Sequence, residues 1–130
     1  MLDRPTCPLI LVHEALDRAH IVHVMHEVDL ATAADFADEI MDVPGDGLVV
    51  IDLLDCRFMD TKAIAVLRRA ADHYGERLRL VVAPNSIIDR LLMFFSANST
   101  TRIARSLDDA LDAPGVTREL LKPRFRRELR

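Results

Sequence analysis

Leu48-Val49-Val50-Ile51-Asp52-Leu53-Leu54 is β-branched and nearly continuously apolar, and it leads through Asp55-Cys56-Arg57-Phe58-Met59 into Asp60-Thr61 and a helical pattern ending at Tyr74. An apolar run of this length, bounded by turn residues, reads as a strand covered on both faces, and such strands lie centrally in a sheet. Beyond it, Ile64, Leu67, Ala71 and Tyr74 recur at helical spacing, with Arg68, Arg69 and Asp72 left for the wet face. The helix is expected over 61–74, and Gly75 ends it.

Upstream, Leu9-Ile10-Leu11-Val12-His13 and the alternating stretch His20 to Val28 read as a hairpin turning at Asp17-Arg18-Ala19. Thr32 is placed to cap a helix from Ala33 to Met41, with Phe36, Ala37 and Ile40 inward, and Pro44-Gly45-Asp46-Gly47 breaks it. Downstream, Leu78 to Ala83 forms a fourth strand. Pro84-Asn85-Ser86 then opens a helix with an apolar stripe of Ile87, Ile88, Leu91, Leu92 and Phe95. Residues 100–105 supply an edge strand, and Ser106 caps a short helix through Leu111. The expected fold is therefore α/β, a single domain with a mixed four- to five-stranded sheet and about four helices packed against it.

A chain of 130 residues fits one domain. It divides into an N-terminal lead (1–8), a domain (9–112) and a basic tail (113–130). From Gly115 onward the tail holds six basic and two acidic residues, a net +4 that leaves −8 on the body out of the total of −4. An acidic body repels phosphate backbones, so direct nucleic-acid binding is not expected. The tail reads either as a solvated terminus or as a segment that clips onto the acidic body or a partner. No window approaches the roughly 20 apolar residues of a membrane span, and Met1-Leu2-Asp3-Arg4-Pro5 does not open a secretory signal, so a cytoplasmic protein without membrane insertion is expected. Cys7 and Cys56 are too few for a disulfide framework and read as reduced thiols, Cys56 half-buried.

Catalytic chemistry finds little support. Gly45-Asp46-Gly47 lacks the remaining residues of a phosphate cradle, the carboxylates form no evident acid–base pair, and Cys56 has no oriented base. His13, His20, His23 and His26 are read as polar positions of a half-exposed strand, not as metal ligands. No enzyme, cofactor or metal is expected. Asp60-Thr61 stands out because a hydroxyl at a helix entrance lies beside first-turn N–H groups carrying partial positive charge, a setting that suits a phosphate. The same two residues serve equally as an ordinary N-cap, worth about 1 kcal/mol.

Several segments together resemble the STAS domain, the module of bacterial anti-sigma factor antagonists and sulfate-transporter tails. Glu27-Val28-Asp29-Leu30-Ala31-Thr32-Ala33 resembles the family's Gly-Glu-Leu-Asp-Leu-Ala-Thr-Ala segment. Val49 to Leu53 with Phe58-Met59-Asp60-Thr61 and Ala65-Val66-Leu67 resembles its central strand, Asp-Ser-Ser-Gly phosphorylation loop and following helix. Leu80-Val81-Val82-Ala83-Pro84, Arg90-Leu91-Leu92 and Ser106 to Leu111 resemble the closing elements, so the likeness covers about residues 9–112.

The resemblance implies that Thr61 is the residue a cognate anti-sigma serine-protein kinase phosphorylates. It implies a docking surface of Asp29, Asp60, Thr61, Lys62, Ala63 and Ile64. His26 stands at the family's usual Gly, Lys62 at its second Ser and Ala63 at the loop Gly, which brings a cation next to Thr61 and removes backbone freedom at the helix start. The implied function is an anti-sigma factor antagonist that binds its kinase, frees a sigma factor and lets go once phosphorylated, acting as a monomer or weak dimer. The alternative is a STAS scaffold subunit, never phosphorylated, docking on the ATPase of a lipid ABC transporter.

Overall fold

The computed structural model describes residues 9–95, 101–112 and 124–129. Strands β1 (Leu9–Leu16) and β2 (Ala19–Val28) form the hairpin, followed by helix α1 (Ala33–Met41) and strands β3 (Leu48–Asp52) and β4 (Cys56–Met59). Helix α2 (Thr61–Tyr74), a 3₁₀ turn (Gly75–Arg77), β5 (Leu78–Val81), α3 (Ile87–Phe95), β6 (Arg102–Ala104), α4 (Leu107–Ala110) and β7 (Arg124–Leu129) complete the described elements. The sheet order is β6-β5-β3-β2-β1-β7, with β4 paired to β2 off that path. β3 is central, as its composition requires: it pairs in parallel with β2 on one side and β5 on the other.

The mixed α/β class read from the sequence holds, and the sheet carries two strands beyond the five expected. β4 is too short to show periodicity, and it continues the sheet only because β2 changes parallel partner along its length, β3 against Ala19–His23 and then β4 against His26–Val28. β7 lies within the segment read as a tail and pairs antiparallel to β1, from Leu9↔Leu129 to Glu14↔Arg124. The hairpin turn is tighter than expected, because β1 runs on to Leu16 and pairs it with Ala19, leaving Asp17-Arg18 as the loop. Arg18 takes a left-handed φ of 63° there.

Side-chain alternation sorts the two faces into separate cores. On one, Leu11, Val22, Val24, Val49, Ile51 and Leu80 pack with Phe36 and Ile40 of α1, Ile64 and Leu67 of α2, and Ile88 and Leu92 of α3. On the other, Ile21, Val50, Val81 and Ala104 meet Ala110 and Leu111 of the short α4 and its end. Arg79 fastens that helix to β5, its Nη1 donating to the Ala110 carbonyl at 2.7 Å. Tyr74 ties α2 to α1: its buried hydroxyl donates to the Ile40 carbonyl at 2.6 Å and accepts from Val43 N at 3.0 Å.

Gly47 is fixed by a close approach. Leu48 N donates to the Arg18 carbonyl at 2.9 Å, and a Cβ at Gly47 would lie 2.2 Å from that oxygen. Only glycine lets β3 enter the sheet against the hairpin turn. No helix among the described residues is long and apolar enough to cross a membrane.

Candidate functional site

Parallel strands deliver their carboxyl ends to one edge of the sheet, and the loops there carry the candidate residues. Val28 at the end of β2 pairs with Met59 at the end of β4, and Asp60 N donates to the Val28 carbonyl at 2.8 Å. Asp29 and Asp60-Thr61 are thereby brought together, each immediately beyond a paired strand end. Asp60 is the N-cap of α2, with extended φ and ψ of −66° and 159° and a carboxylate that accepts Lys62 N at 3.0 Å. Thr61 follows as the first helical residue; it is exposed, and its hydroxyl donates to the same Asp60 oxygen at 3.5 Å. Capping thus belongs to Asp60, and the Thr61 hydroxyl is left at the surface.

Asp29 organises the neighbouring loop. Its Oδ1 accepts Thr32 N and the Thr32 hydroxyl, both at 3.0 Å. Thr32 therefore makes no side-chain cap to α1, contrary to the expectation from its position, because its hydroxyl is spent on Asp29. Leu30, next along, is 61% exposed, and Phe58, two residues before Asp60, is 42% exposed. Ile87 at the start of α3 is 56% exposed instead of joining the core stripe. Of the six residues expected to form a docking surface, Asp29, Thr61 and Lys62 are exposed and Asp60 is half-buried. Ala63 and Ile64 lie wholly in the core and position the loop from beneath, without offering side-chain surface. Nothing in the local pattern distinguishes Leu30 and Phe58 from the buried Val28 and Met59 close by in the chain.

Cys56 is buried, and its thiol donates to the Phe58 carbonyl at 3.4 Å. Burial pushes its pKa up to about 11, so it is a thiol and not a thiolate nucleophile at neutral pH. Cys7 lies outside the described residues.

A family model for the STAS domain matches residues 11–110. The chain belongs to the STAS domain family. Among solved structures, an anti-sigma factor antagonist from Mycobacterium paratuberculosis is similar to it, with a TM-score of 0.69 at 25% identity over 78% of this chain and 91% of that one. No curated protein sequence matches.

Two departures from the STAS pattern acquire a structural reading. His26 has a φ of 75°, its N–H reaches the Asp55 carbonyl at 3.1 Å, and the β2–β4 register shifts between it and Glu27. This is a bulge that requires left-handed backbone, the reason glycine suits the position, and His26 holds it under strain. Ala63 is different. It lies inside α2 without positive φ, so the loop glycine's freedom is not needed here and a small buried side chain suffices.

The histidines of this STAS domain are not a wet strand face. His13 and His23 side chains are each only 13% exposed, and His20 is buried. His20 and His23 are an odd number of residues apart, so they enter opposite faces of the sheet. On the α1 side, His13 Nδ1 meets His20 Nε2 at 2.8 Å and His13 Nε2 meets Glu39 of α1 at 3.1 Å. Burial, with His13 beside it, lowers the His20 pKa to about 4 and keeps that ring neutral. On the opposite face His23 bridges two buried carboxylates, Asp52 at 2.7 Å and Glu14 at 2.9 Å. Burial opposes its charge, but the hydrogen bonds to Asp52 and Glu14 outweigh that and raise its pKa above the ordinary value. Sequence alternation concealed both arrangements because the carboxylates come from β1, β3 and α1.

Proposed function

We propose that this chain is an anti-sigma factor antagonist, a protein-binding module without catalytic activity. Its Asp29 and Asp60-Thr61 edge docks on a cytoplasmic anti-sigma factor with serine-kinase activity, and phosphorylation of Thr61 ends that binding. The observation that carries the reading is the exposed Thr61 hydroxyl at the first turn of α2, beside the Asp60 carboxylate and flanked along the chain by exposed Phe58 and, across the strand pair, Leu30. Exposed aromatic and aliphatic side chains beside polar ones suit a protein-binding surface, where aromatic residues are enriched. The similarity to a solved anti-sigma factor antagonist supports the same partner class.

The switch follows from charge. A phosphate adds roughly −1.5 to −2 charges at a point that already holds the Asp60 carboxylate and, close by, Asp29. The first turn of α2 and Lys62 tolerate that charge within the free domain, while a docked partner surface would have to bury it. Bound kinase is released, and the sigma factor it then captures is silenced again.

The test uses the cognate kinase with ATP. Mass spectrometry is expected to find one phosphate on Thr61, Thr61→Ala to bind without being modified, and Thr61→Glu to bind at least about tenfold more weakly, the effect of roughly 1.4 kcal/mol. An unmodified Thr61 together with wild-type affinity for Thr61→Glu would reject the switch. Stable co-purification with a transporter ATPase would favour the scaffold reading instead.

A further inference from the structure

We infer that the C-terminal strand β7 is an edge guard, which keeps a second copy of this chain from pairing along β1. Without β7, β1 would be the end of the sheet, since its other neighbour is β2. Its sequence, Leu-Ile-Leu-Val-His-Glu-Ala-Leu over Leu9–Leu16, carries a single carboxylate and no lysine, arginine or proline. A long apolar strand with free N–H and C=O groups on one side is a template for pairing with another chain. Because β1 accepts an antiparallel neighbour, two copies can join β1 to β1 about a two-fold axis, a self-complementary contact that closes at the dimer.

β7 occupies that edge over six residues, Leu9↔Leu129 through Glu14↔Arg124. It replaces the apolar margin with Arg124-Phe125-Arg126-Arg127-Glu128-Leu129, in which four of six residues are charged. Charge on an outermost strand is a recognised barrier to further pairing. The register places Arg124 opposite Glu14 of β1. β7 also lies outside the stretch that defines the family, which ends at residue 110. It is therefore an addition to the STAS domain of this chain, distinct from the Asp60-Thr61 edge.

The test compares the full chain with its Arg126→Pro/Arg127→Pro variant by sedimentation and amide exchange. Successive strand N–H groups alternate sides, so two adjacent prolines remove one that faces β1 whichever it is. The full chain is expected to sediment as a monomer with slowly exchanging β1 amides. The variant is expected to dimerise as concentration rises, and on dilution its β1 amides should exchange at least about tenfold faster than in the full chain. Adding Leu11→Lys to the variant should abolish the dimer. A variant that stays monomeric at every concentration would overturn the inference. So would a wild-type chain that already pairs through β1, or a variant whose far-UV spectrum shows that the domain no longer folds, since β7 would then be part of the core and not its cover.

Discussion

Replacing His23 by leucine should be the most costly conservative-volume change in this domain. The His23 ring stands between Glu14, 2% exposed, and Asp52, 5% exposed, and its removal takes from both carboxylates the group they share. Breaking a buried ion pair from one side costs about 3–5 kcal/mol. Two features of the site favour the lower end: Asp52 still accepts Leu54 N at 3.0 Å, and Glu14 has interactions beyond His23. A loss of about 3 kcal/mol, at roughly 4 °C per kcal/mol for a domain of this size, lowers Tm by about 12 °C. The pH dependence carries the sharper test. The folded pKa of His23 is raised, so its contribution is fully present below the unfolded value near 6.5 and is lost as pH rises through the folded value. In the leucine variant this contribution is absent at every pH. The gap between the two proteins should therefore be widest below about pH 6.5 and narrow as pH rises through the folded value. Urea denaturation followed by circular dichroism from about pH 4 to 9 measures it, with an unchanged m-value confirming a common unfolded state. A gap below about 1 kcal/mol near pH 6.5, or one independent of pH, would refute a charged His23 between two carboxylates.

Three further outcomes follow from single sites. Tyr74→Phe removes the hydroxyl that joins Ile40 O to Val43 N in the core, and equilibrium unfolding should show a loss of about 1–3 kcal/mol. His26→Gly should stabilise the domain by about 0.5–1 kcal/mol, because relief of about 1–2 kcal/mol of left-handed strain exceeds the entropy glycine adds to the unfolded chain; a destabilised variant would show that the ring has a packing role. Asp89 is held below the ordinary carboxylate range by Arg105 at 2.9 Å and by Asn85 N at 2.9 Å. Its contribution is present above the unfolded pKa near 3.9 and lost as pH falls through the folded one, so Asp89→Asn should cost about 1 kcal/mol at neutral pH and converge with wild type in acid.

The amino-acid order by itself determined the parallel core of the fold. The run Val49 to Ile51 had to be covered on both faces, and the spacing of Ile64, Leu67 and Tyr74 had to form a helix burying one side. Asp60-Thr61 was legible as a helix entrance for the same local reason, and the order of STAS-like segments suggested the role proposed for it. Local patterns could not say which side chains meet across the sheet. His23 finds Glu14 and Asp52 only because β1, β2 and β3 lie side by side, and His20, three residues away on the same strand, faces the other core. The bulge that bends His26 into left-handed backbone exists because β2 exchanges β3 for β4 midway along its length. Arg124–Leu129, whose composition left open a solvated terminus or a segment clipped onto the acidic body or a partner, is a strand because β1 has an edge to be paired. Burial periodicity is a property of one segment, whereas partners, strain and edges are properties of how segments are arranged, and only the tertiary structure decided those.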